Sequence, residues 1–126
     1  MTDRPYRILV TGSRIWPDHD TIYDALDEAL NAAPKDRDTW LVVGDCPRGA
    51  DRIAYQWAVT AMVPIDIHRA DWDSHGKAAG PIRNAAMVNS GADLVLAFIR
   101  NSSRGASHTV ALARRAGIPV RLRTEP

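Results

Sequence analysis

The sequence predicts an α/β fold: one three-layer domain in which a mostly parallel five-stranded sheet lies between helices. Three observations predict it. Five short apolar runs recur along the chain, four stretches of helical periodicity alternate with them, and glycines close the first two runs. Residues 6–11 (YRILVT) form the first run and end at Gly12, the pattern of a buried parallel strand. Residues 21–33 repeat apolar side chains at Ile22, Ala25, Leu26, Ala29 and Leu30, one face of a helix. Asp18 or Asp20 suits its start, and Pro34 ends it. Residues 40–43 form the second strand, closed by Gly44. Residues 50–62 set Ile53, Ala54, Trp57, Ala58 and Ala61 on one helical stripe, and Pro64 resets the chain into a strand over 65–68.

Residues 71–80 (DWDSHGKAAG) lack a period and read as a loop. A helix is predicted over 81–90, with Pro81 near its first turn and Gly91 after its end. Residues 93–99 (DLVLAFI) are the clearest strand. A polar loop over 101–107 leads into a helix over 106–116. Arg114 and Arg115 complement its dipole there, and Gly117 takes the C′ position. Residues 119–122 make the last strand. Right-handed crossovers between parallel strands then give a compact Rossmann-like order, 3-2-1-4-5. The 126 residues fit one domain, 1–126, with no repeat and no linker.

Composition narrows the function classes. Hydrophobic residues at 45% and charged residues at 25% exclude disordered and collagen-like chains. Sixteen basic against fifteen acidic residues leave a formal charge of +1, so no global field attracts nucleic acid. No apolar run approaches the ~20 residues of a membrane helix. The single cysteine, Cys46, has no partner for an intramolecular disulfide, and no signal peptide is evident, which points to the cytoplasm. Only Lys35 and Lys77 are lysines; the remaining basic residues are arginines, which suit bidentate recognition of phosphate or carboxylate.

Ligands of such sheets bind at the carboxyl ends of the strands, near the switch point between strands one and four. The first strand ends in Gly12-Ser13-Arg14: a glycine for close approach, a hydroxyl donor and a cation. The plain alternative is a strand-to-helix turn. The second ends in Gly44-Asp45-Cys46-Pro47-Arg48-Gly49-Ala50-Asp51, a glycine-bracketed turn opening into a helix, where backbone N–H groups and the dipole attract an anion. Asp51 can also serve as that helix's cap. The fourth ends in Asn101-Ser102-Ser103-Arg104-Gly105-Ala106-Ser107, a second phosphate-friendly cradle or a serine-capped helix start. Arg83 and Asn84 fall in the first turn of the third crossover helix. A cation there opposes the dipole by ~0.3–1 kcal/mol, which an anionic ligand would offset.

The cluster His68, Asp71, Asp73, His75 matches no standard zinc spacing, so no metal is expected, and no cofactor motif is present. Cys46 reads as a small side chain in a tight turn, and His108 as a solvent-facing helix residue. Trp72 is either a loop anchor or a stacking surface for a base.

Four segments together resemble a known family: Val10–Arg14 (VTGSR), Val43–Ala54 (VGDCPRGADRIA), Ala70–Met87 (ADW…AGPIRNAAM) and Ser102–Val120 (SSRGASHTVALARRAGIPV). They are similar to the YspA-like, cpYpsA-related branch of the SLOG superfamily, which is common in actinobacteria and their phages. The superfamily also holds the Lonely Guy phosphoribohydrolases, which cleave the N-glycosidic bond of nucleoside monophosphates, and the DNA-processing protein DprA. Arg83-Asn84-Ala85-Ala86-Met87 is similar to the Lonely Guy R-K-x-x-M motif, with Asn84 in place of lysine. The segment Ser102–Thr109 is similar to P-G-G-x-G-T-x-x-E. The resemblance puts Thr109 where those enzymes carry their glutamate, and threonine holds no charge at neutral pH.

The resemblance therefore implies a module that binds or senses a nucleotide or an ADP-ribose- or NAD-derived ligand. Ser13, Arg14, Gly105 and Ser107 would hold phosphate. Arg83 would neutralise it, and Gly44, Gly49 and Ala50 would let the ligand approach. Asp45, Arg48, Asp51, Asn84, Ser103 and Ala106 line the same strand ends. An alternative is N-glycoside hydrolysis with Arg83 as the catalytic residue, assisted by an aspartate from the 44–51 loop. A third is single-stranded nucleic-acid binding, which the near-zero charge opposes. Lonely Guy relatives imply a homodimer.

Overall fold

The computed structural model describes residues 4–125. All five strands are parallel: β1 (Tyr6–Gly12), β2 (Thr39–Gly44), β3 (Ile65–His68), β4 (Leu94–Arg100) and β5 (Val120–Glu125), in the order β3-β2-β1-β4-β5. This is the Rossmann-like α/β arrangement the apolar runs predict. Long helices α1 (His19–Ala32), α2 (Ala50–Ala61), α4 (Ala79–Asn89) and α5 (Arg104–Arg115) make the crossovers.

Alternation along each central strand feeds two cores. Ile8, Val10, Leu41, Val43, Leu96 and Phe98 face α1 and α2, where Ile22, Leu26, Ala54 and Trp57 meet them. Leu9, Val42 and Val95 point the other way, onto Met87 and Val88 of α4 and Ala113 of α5. Ala97 and Ile99 extend that second core against Ala106 and Val110. Burial on both faces is why these strands read as continuous apolar runs rather than alternating ones.

Polar side chains fix the ends. Asp18, not Asp20, caps α1 by accepting the Thr21 amide at 3.2 Å. Trp57 donates its indole N–H to Asp27 at 2.8 Å and so ties α2 to α1. Arg7 lies under the sheet with its guanidinium on Asp66 (2.6 Å), the Gly91 carbonyl (2.6 Å) and Ser90 Oγ (3.0 Å). Burial raises the Asp66 pKa, but hydrogen bonds from Arg7 and His68 outweigh it and hold the carboxyl below its ordinary range.

Two stretches differ from expectation. Residues 71–80 are not an open loop: they fold into a single-turn helix α3 (Trp72–His75) and a 3₁₀ turn (Gly76–Ala78). Asp71 caps α3 by accepting the Ser74 amide at 3.1 Å, so a side-chain bond rather than an apolar face supports it. Helix α4 then starts at Ala79, two residues before Pro81, which leaves Arg83 one turn in from the start. The dipole penalty read from the sequence therefore does not apply at full strength. No helix among the described residues is long and apolar enough to cross a membrane.

Candidate functional site

The carboxyl ends of β1, β2 and β4 open onto one edge of the sheet, and α3 with the start of α4 rises opposite them. Between them lies a cavity of about 760 Å³. Its walls come from four separate parts of the chain: 11–15 after β1, Cys46 and Asp51 around the start of α2, 72–87 from α3 to α4, and 100–108 at the end of β4 and start of α5. A smaller space of about 500 Å³ adjoins it, sharing Arg14, Cys46, Trp72 and Arg83 and adding Asp45 and Pro47.

Close chain packing shapes the floor. An added Cβ at Gly12 would lie 2.4 Å from the Ala50 Cβ, so β1 and α2 touch there. Gly49 has φ +72 and would place a Cβ 2.4 Å from the Ser13 carbonyl oxygen. The Ala50 amide donates to that same oxygen at 3.1 Å. A Cβ at Gly44 would stand 2.6 Å from Arg83 Nη1 and 2.8 Å from Asp51 Oδ2. At each of these glycines neighbouring protein atoms occupy the room that a side chain would take. Ala50 is fully buried, Arg48 and Ser107 are exposed elsewhere, and neither these three residues nor Gly44 and Gly49 line either space.

Ser13 lines the cavity, where its hydroxyl accepts the Arg100 amide at 2.8 Å and donates to the Arg100 carbonyl at 3.1 Å. Both bonds clasp β1 to β4. Gly12, Arg14, Asp51, Trp72, Arg83 and Asn84 do line the cavity, as do Ser103, Gly105 and Ala106. Asp45 lines the adjoining space.

Arg83 is held by several protein groups. Its Nη1 pairs with Asp45 at 3.0 Å and reaches the His68 carbonyl at 3.5 Å, while its Nε donates to Asn84 Oδ1 at 2.8 Å. Asn84, buried, passes its amide N–H to the Gly105 carbonyl at 3.3 Å. The pair thus locks α4 to the start of α5 and holds a guanidinium fixed at the cavity wall.

Lys77, Arg100 and His108 line the cavity although the sequence reading did not place them among the site candidates, and Arg104 joins them from the predicted cradle after β4. One signal was available, since Arg104 and His108 are four apart and share a helix face. His108 is half-buried rather than turned out to solvent: it lines the cavity, its Nδ1 buried and without a hydrogen-bond partner among the described residues. Thr109 is fully buried and donates its hydroxyl to the Gly105 carbonyl at 3.2 Å, so the position matched to the Lonely Guy glutamate faces the core. Between the two arginines, Asn101 and Ser102 both take φ 54, a left-handed pair that costs ~1 kcal/mol or more per residue. No side chain caps α5 at Ser103, which leaves its first-turn amides to the cavity edge.

Among the described residues, no group of three or more His, Cys, Asp or Glu side chains stands close enough to share a metal ion. His68 instead bonds Asp66 at 3.1 Å, and Asp71 is the α3 cap.

Among the described residues, Asp51 is the one carboxyl in the main cavity. Gly49 occupies the α2 cap position, and Asp51 reaches back to the Cys46 amide at 3.3 Å, so it is not the helix cap. Burial pushes its pKa up to about 6, against the lowering pull of Arg83. The folded state therefore binds more protons than the unfolded chain between the ordinary value of 3.8 and about 6. Stability falls as pH rises through that window, by about 2–3 kcal/mol. Asp51→Asn is expected to raise the unfolding midpoint at pH 8 by several degrees and leave it unchanged near pH 3. Thermal melts of both proteins across pH check this, and coincident midpoints at pH 8 would refute it.

Residues 6–75 match the model of the YspA, cpYpsA-related SLOG family. The chain is also similar to the Gene 61 protein of Mycobacterium phage D29, at 45% identity over 119 residues, covering 90% of this chain and 93% of that one. No solved structure matches.

Proposed function

The chain belongs to the YspA, cpYpsA-related SLOG family, and on that premise we propose that its cavity binds a nucleotide or a nucleotide-derived ligand of the ADP-ribose type. One observation carries the reading. A chain of net charge +1 gathers Arg14, Lys77, Arg83, Arg100 and Arg104 around one cavity and sets a single carboxyl among them. Such a concentration of cations at strand ends attracts a compact anion, and arginine favours phosphate geometry. The uncapped start of α5 adds backbone donors. Trp72, half-exposed at the rim of both spaces, offers a face on which a base can stack.

A second reading, hydrolysis of the N-glycosidic bond, is favoured by one feature: a carboxyl with a raised pKa sits in the cavity although Thr109 does not reach it. In that reading Asp51 takes the place of the missing glutamate and Arg83 orients the phosphate.

Native mass spectrometry after incubation with nucleoside monophosphates, NAD and ADP-ribose tests both, with the supernatant analysed for free base. An intact adduct without released base is the expected result. Released base would establish the second reading, and the absence of any adduct at millimolar ligand would sink the first.

A further inference from the structure

A carboxyl among five basic side chains is out of place in a site built for an anion. As a carboxylate, Asp51 repels what the cations attract. Its only hydrogen bond among the described residues is the long one from the Cys46 amide, at 3.3 Å. Arg83 does not neutralise it by direct pairing: Arg83 Nη1 is committed to Asp45 and the His68 carbonyl, and Nε to Asn84. Yet the two groups stand together, since a Cβ on Gly44 would meet both at under 3 Å.

We propose that Asp51 is a ligand-binding residue that works as a neutral acid. When an oxyanion enters beside Arg83, Asp51 takes up one proton from solvent and donates it as a hydrogen bond to an oxygen of the anion. The inference rests on the anion-binding reading above and deepens it. The ligand is a permanently charged oxyanion, such as a pyrophosphate diester, that brings no proton of its own. No bond is broken: one proton moves from solvent to the carboxylate on binding and returns on release. The unliganded carboxyl already titrates near 6, so an added negative charge needs only a modest further rise to keep it protonated at neutral pH.

The groups that face Asp51 come from each neighbouring segment: Arg14 after β1, Asp45 and Cys46 after β2, and Arg83 on α4. Lys77 and His108 line the same cavity from the 3₁₀ turn and from α5. The test therefore separates Asp51 from the His108 imidazole that shares the cavity.

The probe is ADP-ribose, whose two phosphates keep a constant charge between pH 5 and 9. Calorimetry in buffers of different ionisation enthalpy, from pH 5.5 to 8.5, gives both affinity and protons exchanged. Wild type should take up protons on binding and bind about tenfold more weakly at pH 8.5 than at pH 5.5. Asp51→Asn, which keeps an acceptor for the Cys46 amide and a donor for the anion, should bind with no such pH dependence. His108→Gln, whatever its affinity, should keep the proton uptake and the pH dependence of wild type. Binding by wild type with a constant Kd and no proton uptake overturns the inference and leaves the nucleotide reading standing. So does a linkage that survives in Asp51→Asn and vanishes in His108→Gln. Absence of binding at every pH overturns both.

Discussion

Gly49→Ala is expected to destabilise the fold by about 3 kcal/mol or more, a large share of the ~5–15 kcal/mol that holds a domain folded. Two terms add. The residue sits at φ +72 and ψ −148, a region essentially closed to side chains, which costs ~1–3 kcal/mol by itself. The new Cβ would then press on backbone rather than on a movable side chain, at 2.4 Å from the Ser13 carbonyl and 2.5 Å from the Arg14 backbone. Relief requires the β1–α1 and β2–α2 turns to separate, which breaks the bond from the Ala50 amide to Ser13. Gly105→Ala is the matched control. It lies in α5 with nothing within 4 Å of its added Cβ, and should be neutral or stabilising by up to ~1 kcal/mol. Urea denaturation of both variants checks the pair, and equal midpoints would refute the packing argument.

Arg83→Ala is expected to weaken binding of a phosphate-bearing ligand about 100-fold, roughly 2.7 kcal/mol, the range of one lost charge-assisted contact. The loss exceeds that of one charge among five because Arg83 is held in place by Asp45, Asn84 and the His68 carbonyl before any ligand arrives. Removal also frees Asp45 as an unpaired negative charge beside the site. Arg83→Lys should recover only part of the affinity, since an ammonium cannot reproduce the guanidinium's planar set of donors to Asp45, Asn84 and the backbone. Arg104→Ala, on an exposed residue at the rim, should cost less. Titration calorimetry orders the three, and an Arg83→Ala protein that folds and binds as wild type would remove this residue from the site.

The strands were legible because burial on both faces writes itself as an uninterrupted apolar run, as in Leu94–Arg100, and the helices because α1, α2 and α5 each carry one buried stripe. What hid was whatever depends on one side chain or on contact across distant loops. Helix α3 has no buried residue at all, so no hydrophobic period announced it. The strand-end rule pointed to the edge where the cavity lies and to Arg14, whereas Arg83 and Asn84 were singled out by their place at the start of the third crossover helix. A sequence shows that a glycine leaves room but not for what: Gly12, Gly44 and Gly49 stand against Ala50, Arg83 and the Ser13–Arg14 backbone. Nor does it show that the Ser13 hydroxyl has a partner 87 residues away. Lys77 and Arg100 lie far apart in the chain and converge only once β4 lies beside β1.

That clasp of Ser13 on Arg100 also sets an order of events. The β1-α1-β2-α2-β3 half closes its contacts over short stretches of chain, whereas the lip of the cavity waits for β4 to arrive from the far half and dock on β1. Long-range pairing of this kind is slow to close. The cavity exists only where both halves of the chain have met, so a ligand held in it binds the folded state and not a half-assembled one. By mass action such a ligand adds to the stability of the whole chain, and it does so through the one pairing, β1 on β4, that joins the halves.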